Sequence, residues 1–144
     1  MKRSMVLAGF LPALALTLAV WACAASPGPG EAGYLYNLSG DYRGGLMVEG
    51  FSFGLTMELR TGPGGSLTGD YRVTDPVGMS GPVTGTLVAD SVSFSLDYLN
   101  PMDGCGGLLQ GEGRVEAGGE SFTGRARLND SCHGFLVATF AMRR

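Results

Sequence analysis

Apolar and polar residues alternate through most of the chain beyond residue 35. The clearest example is Phe51–Arg60, where large apolar side chains alternate with serine, glycine, threonine, glutamate and arginine. The same period of two recurs in Leu67–Val73, Val92–Tyr98 and Phe122–Leu128. A period of two with one polar face is typical of half-buried antiparallel strands, whereas a helix requires a period of 3.6 residues. The chain is therefore expected to be all-β.

Turn-forming residues divide this pattern into eight predicted strands. Clusters of glycine, proline, asparagine and aspartate separate most of them. The predicted strands are 36–43, 50–60, 66–74, 82–89, 91–99, 107–116, 121–129 and 134–142. The predicted fold is a small antiparallel eight-stranded up-and-down β-barrel after an N-terminal signal helix, because closure removes exposed sheet edges. A two-sheet β-sandwich is the alternative.

An apolar–polar–glycine triplet recurs along these strands. The alternation places its glycines on the inward face: Gly40, Gly69, Gly85, Gly111 and Gly124. Glycine weakens a strand, so its recurrence indicates a sharply coiled sheet in which glycine permits the bend and leaves room for facing aromatic rings. The aromatic residues expected to fill that room are Phe51, Phe53, Phe94 and Tyr98.

The predicted loops differ between the two ends of the barrel. The short set is Thr61–Gly65, a turn near Asp90, and Ala117–Glu120. The longer set is Gly44–Glu49, Asp75–Gly81, Asn100–Gly106 and Asp130–His133. Cys105 and Cys132 both fall in the longer set, which predicts a disulfide at that end in an oxidising compartment.

Five residues of the long-loop end are candidate binding residues. They are Met47, Met79, Met102, Asp103 and His133. The three methionines with His133 suit a soft metal such as Cu(I), but methionine also serves as adaptable apolar filler. The acidic residues there could line a polar site, or they could serve ordinary turns. No cofactor or bound metal is assigned from this pattern.

Nucleophilic catalysis has little support in the sequence. It contains no G-x-S-x-G motif and one histidine without an identifiable partner. Residues 23–144 carry eight arginines against 13 acidic residues, and this acidic balance without a basic stripe argues against nucleic-acid binding. The protein is therefore expected not to be an enzyme.

A basic and then strongly apolar segment opens the chain. Lys2 and Arg3 precede the apolar run Ser4–Val20, and Val20-Trp21-Ala22-Cys23 closes it. The segment resembles the signal and lipobox of bacterial lipoproteins. That resemblance implies export, cleavage before Cys23, lipidation of its thiol and a tether to the cell envelope, with Ala24 favouring the outer membrane. A permanent membrane helix and plain cleavage near residues 24–26 are the alternatives.

These interpretations divide the chain into three parts. Residues 1–22 are the predicted signal peptide, 23–33 the lipid-anchor cysteine and a flexible linker without large apolar side chains, and 34–144 the barrel domain. The barrel's first strand starts and its last strand ends at the short-loop end. The long-loop end is therefore expected to point away from the membrane.

Gly40-Asp41-Tyr42 resembles the G-x-W motif that opens the first strand of lipocalins and avidins, with tyrosine in place of tryptophan. This resemblance implies an eight-stranded barrel that binds a small ligand in its mouth. A small exported barrel with one disulfide also resembles the periplasmic inhibitors of lysozymes and proteases.

The expected function is that of a lipid-anchored binding module for a small ligand or an envelope protein. A hydrolase inhibitor is the alternative, and a copper-handling lipoprotein a third. An open apolar cavity of about 300 Å³ or more at the Cys105/Cys132 end would favour the ligand carrier. A filled barrel would favour a protein partner.

Overall fold

Inward-facing apolar residues of eight strands share one closed barrel. The computed structural model describes residues 25–144. The strands are β1 (Ser39–Val48), β2 (Phe51–Thr61), β3 (Ser66–Asp75), β4 (Met79–Val88), β5 (Ser91–Leu99), β6 (Gly106–Val115), β7 (Ser121–Asp130) and β8 (Gly134–Arg143). Each strand pairs antiparallel with the next, and β8 closes on β1. The predicted up-and-down barrel is confirmed, and the sandwich alternative is wrong.

The first hairpin differs from the prediction. β1 continues through the expected loop at 44–49, and a tight turn at Glu49 and Gly50, both with positive φ, joins it to β2. A Cβ on Gly44 would collide with the carbonyl oxygen of Ala141 on β8. Glycine here permits close strand approach and does not break the strand. The predicted first strand, 36–43, is therefore misplaced. The predicted contrast in loop length is wrong as well: the connections at this end are 49–50, 76–78, 100–105 and 131–133, and those at the other end are 62–65, 89–90 and 116–120.

An aromatic cluster fills the half of the barrel where β1 begins and β8 ends, here called the closed end. The ring centroids of Tyr42 and Phe122 are 5.2 Å apart, and those of Phe94 and Phe140 are also 5.2 Å apart. The rings meet edge to face, an arrangement that adds about 0.5–1.5 kcal/mol per pair beyond burial. All four side chains are buried, so this half of the barrel has a solid core.

Inward glycines make room for this cluster. A Cβ on Gly111 would lie 2.6 Å from Cε1 of Phe94, and one on Gly124 would lie 2.7 Å from Cζ of Phe140. The predicted partnership of inward glycine and Phe94 is present. Phe140 was not among the predicted aromatics, and Phe51 sits at the opposite rim with 73% of its surface exposed.

The segment before β1 is tied to the closed end. The Asn37 side chain accepts from the amide of Gly30 at 2.8 Å and donates to the carbonyl of Glu31 at 2.7 Å. The Leu35 carbonyl accepts from the amide of Gly118, and Leu38 is fully buried. Residues 28–33, which belong to the predicted flexible linker, form hydrogen-bonded turns, and the flexibility of the linker stays a prediction. Their polar contacts, rather than apolar burial, hold them.

The predicted signal peptide and Cys23 lie outside the described residues. Residues 25–144 include no helix long and apolar enough to span a membrane.

Candidate ligand-binding cavity

The other half of the barrel is hollow. A cavity of about 300 Å³ opens at the end where β1, β3, β5 and β7 end, here called the mouth. Aliphatic side chains from seven of the eight strands contribute to its wall, among them Leu46, Leu55, Val73, Leu96, Leu109, Leu128 and Leu136. None of the four rings of the aromatic cluster lines it. The barrel is thus closed below by aromatic packing and open above.

Tyr71 braces one side of the cavity. Hydrogen-bonded pairing of β4 with β5 extends from Thr84–Ser95 to Val88–Ser91 and does not reach the mouth. The Tyr71 hydroxyl crosses this gap and donates to the carbonyl of Asp97 at 2.8 Å. Its ring passes over Gly81, where a Cβ would lie 3.0 Å from Cε1. Desolvation by burial raises the pKa of Tyr71, so the hydroxyl stays a donor.

A buried carboxylate organises the other side of the mouth. Asp130, only 8% exposed, accepts from the Tyr98 hydroxyl at 2.7 Å and from the amides of Cys132 and His133 at 2.8 and 2.9 Å. The Nδ1 atom of His133 lies 3.0 Å from the same carboxylate. Burial acts to raise the pKa of Asp130, but these hydrogen bonds together outweigh it and lower the pKa to about 2. The group is therefore an anion at neutral pH.

A glycine on the intervening strand allows this contact. Tyr98 of β5 pairs with Gly107 of β6, and Gly107 pairs with Asp130 of β7. Because no side chain stands between them, the tyrosine reaches the carboxylate directly across β6. Burial and the hydrogen bond to Asp130 both raise the pKa of Tyr98 well above its usual range.

The predicted disulfide between Cys105 and Cys132 is present. Its Cα atoms are 5.6 Å apart, and it joins the loop between β5 and β6 to the loop between β7 and β8. The Cys132 amide also donates a hydrogen bond to Asp130, so the bridge fixes the loop that supplies hydrogen bonds to this carboxylate. The chain-entropy model assigns about 3–4 kcal/mol to a bridge closing a loop of this length.

The predicted binding residues are only partly brought together. Met79, Asp103 and His133 line the cavity. Met47 is 45% exposed on the outer face of β1, because β1 is longer than predicted, and Met102 is 79% exposed in its loop. Neither belongs to the cavity wall, so the structure does not assemble the four-residue copper set.

One grouping of potential metal ligands lies at the mouth within the described part of the chain. Ligand atoms of Cys105, Asp130 and His133 lie within 4.8 Å of one another. The Cys105 sulfur is committed to the disulfide and offers no thiolate, which is the form that binds metals. The oxidised protein therefore presents no complete ligand set here.

Glu49 and Tyr71 line the cavity but were not among the five predicted binding residues. Glu49 lines the mouth because β1 continues to Val48, and the sequence pattern had placed this residue in a longer loop. The alternation in Leu67–Val73 places Tyr71 on the inward face with Gly69, but the bond of Tyr71 to Asp97 depends on the gap between β4 and β5. No residue pattern within a single strand reveals such a gap.

Comparisons of this chain with protein-family models, curated proteins and solved structures found no match. The resemblance of Gly40-Asp41-Tyr42 to lipocalins and avidins stays a prediction. Tyr42 itself is fully buried at the closed end, where its hydroxyl donates to the carbonyl of Gly119 at 2.7 Å.

Proposed function

We propose that this protein is a non-enzymatic binding module that takes a small, largely apolar ligand into the mouth of its barrel. One observation carries the proposal: an apolar cavity of about 300 Å³ opens at the disulfide end above a solid aromatic core. This volume is at the lower limit of small-molecule pockets, so the ligand is small. Burial of its apolar surface supplies the affinity, at about 25 cal/mol per Å².

The proposed setting is the cell envelope, with lipidated Cys23 as the tether. β1 begins and β8 ends at the closed end, and residues 28–38 are attached there. Only residues 24–27 would remain as a free spacer, and they reach at most about 14 Å. The closed end would then lie near the bilayer, and the mouth would face away from it.

Calorimetric titration of the purified protein with octan-1-ol, a neutral apolar probe, tests the binding proposal. Leu46 and Leu96 lie on β1 and β5, which are opposite each other in an eight-stranded ring. The double variant Leu46→Trp/Leu96→Trp fills the cavity from both walls and should abolish binding. Val137→Trp, on the outer wall, is the matched control and should bind normally.

Circular dichroism must show that the double variant retains its β-structure. Octanol binding that survives in a folded double variant contradicts the proposal, as does the absence of binding to the unaltered protein.

The second candidate function is binding of a protein partner at the mouth. The hydrolase-inhibitor hypothesis is one form of this function. Apolar side chains protrude from this rim, with Met102 79% and Phe135 84% exposed. Exposed apolar groups of this kind mark protein-binding sites when they cluster. Met102→Ser/Phe135→Ser should impair binding to such a partner and leave octanol binding unchanged, which separates the two candidates.

A further inference from the structure

The charged groups of the cavity are almost all of one sign. Three carboxylates line it, from Glu49, Asp103 and Asp130. No arginine or lysine lines it within residues 25–144. The one basic side chain on the wall is His133, whose ring contacts Asp130. The headgroup of a ligand bound in the cavity would therefore lie among negative charges.

Most hydrogen-bond donors of the wall are already in use, and the exceptions are the side-chain amide of Asn100 and the second ring nitrogen of His133. The Tyr98 hydroxyl donates to Asp130, and the Tyr71 hydroxyl donates to the carbonyl of Asp97. The amides of Cys132 and His133 also point at Asp130. An anionic headgroup would find few free donors here, whereas a cationic headgroup would find free acceptor oxygens on Glu49 and Asp103.

The negative charge of Asp130 is built into the fold. The carboxylate is buried and is held by neutral donors and one histidine, without a guanidinium or ammonium partner among the described residues. The ion pairs of Arg60, Arg114 and Arg144 lie towards the closed end of the barrel. These arginines therefore do not neutralise the mouth at short range.

We propose that the ligand of this cavity is a hydrophobic cation: an apolar body that fills the barrel, with an amine or quaternary ammonium group at the mouth beside Glu49 and Asp103. This inference rests on the proposed function and specifies its ligand class. Charge complementarity at a cleft with low-dielectric walls provides the selectivity. Fatty acids and other carboxylates are disfavoured, because their headgroup would be placed among like charges.

A series of probes with one apolar body and three headgroups tests this selectivity. The probes are octyltrimethylammonium, octan-1-ol and octanoate, each titrated calorimetrically below its micelle-forming concentration. The expected order of affinity is cation, alcohol, carboxylate, with about a tenfold difference between cation and carboxylate at low salt. Added salt should narrow that difference, because the mouth is open to solvent.

Charge-removing variants identify the residues responsible. Glu49→Gln/Asp103→Asn should reduce the preference for the cation over octan-1-ol several-fold. In the unaltered protein the Cys105 amide donates to a side-chain oxygen of Asp103 at 2.9 Å. Asparagine keeps an acceptor oxygen at this position, so the conformation of the loop should be preserved. Asp41→Asn/Glu116→Gln also removes two negative charges, at the closed end, and should leave the preference intact.

The outcomes separate this inference from the proposed function. Octanoate binding as tightly as the cation overturns the inference, while octanol binding still supports a ligand-binding barrel. A cation preference that the Glu49→Gln/Asp103→Asn variant retains also overturns it. If none of the three probes binds, both proposals fail.

Discussion

The Tyr98 hydroxyl donates a 2.7 Å hydrogen bond to Asp130 across β6. The β6 residue that pairs with both of them is Gly107, which has no side chain to separate them. This contact links β5 to β7, which are not neighbours in the barrel. It also joins the cavity wall to the loop that carries Cys132 and His133. The mouth is therefore held by a polar connection as well as by the disulfide.

Removing this hydroxyl should destabilise the protein. Tyr98→Phe leaves one oxygen of Asp130 without its donor, and the expected loss is about 1–3 kcal/mol of unfolding free energy. Urea unfolding at neutral pH measures it. Tyr36→Phe is the control, because that hydroxyl makes no hydrogen bond within the described residues, and equal losses in the two variants would contradict this role of Tyr98.

The Asp130 carboxylate predicts a particular acid sensitivity. Its pKa is lowered to about 2 in the folded protein, against about 3.9 in an unfolded chain. Its stabilising contribution is therefore complete above about pH 4 and is lost as the pH falls towards about 2. Unfolding free energies across this range should fall more steeply for the unaltered protein than for Asp130→Asn, and parallel curves would refute this assignment.

The fold was largely predictable because alternation reports which residues share a face. The predicted β5 matches the observed strand to the residue, and the β7 and β8 predictions differ from the observed strands by one residue at one end. β1 was misplaced because Gly44 and Gly45 resemble a turn when read alone. Both glycines pair with β8, and the close approach of β8 at Gly44 depends on a strand that is distant in sequence.

The site was less predictable because it depends on contacts between strands. Alternation places Tyr98 inside, but only the register shows that it faces Asp130 across Gly107. The hollow mouth and solid base likewise depend on which inward side chains lie at the same level. The shared end of Cys105 and Cys132 was predictable, since it follows from strand count alone.

The disulfide should contribute about 3–4 kcal/mol to stability by the chain-entropy model. Cys105→Ser/Cys132→Ser should lower the melting temperature, and reduction of the unaltered protein with a dithiol should lower it similarly. The reductant should leave the double variant's melting temperature unchanged. Melting that responds to neither change would show that the bridge does not stabilise the fold.

The proposed lipid anchor depends on one thiol. Cys23→Ser should abolish incorporation of labelled fatty acid in a bacterial host and should move the protein from the membrane fraction to the soluble fraction. Cys105→Ser is the matched control and should retain the label. Labelling that persists in Cys23→Ser would exclude this cysteine as the sole acylation site.

Gly111 should tolerate no side chain, because its position is occupied by the Phe94 ring. A Cβ there would lie 2.6 Å from Cε1 and 2.9 Å from Cε2 of that ring. Gly111→Ala is expected to cost about 1–3 kcal/mol through overpacking, measured by urea unfolding. Gly78→Ala, where a Cβ meets nothing within 4 Å, should be nearly neutral.

Adding Phe94→Leu to Gly111→Ala should relieve the collision, so the two substitutions together should cost less than the sum of their separate effects. Additive costs would mean that the glycine serves the bend of β6 and not the aromatic ring.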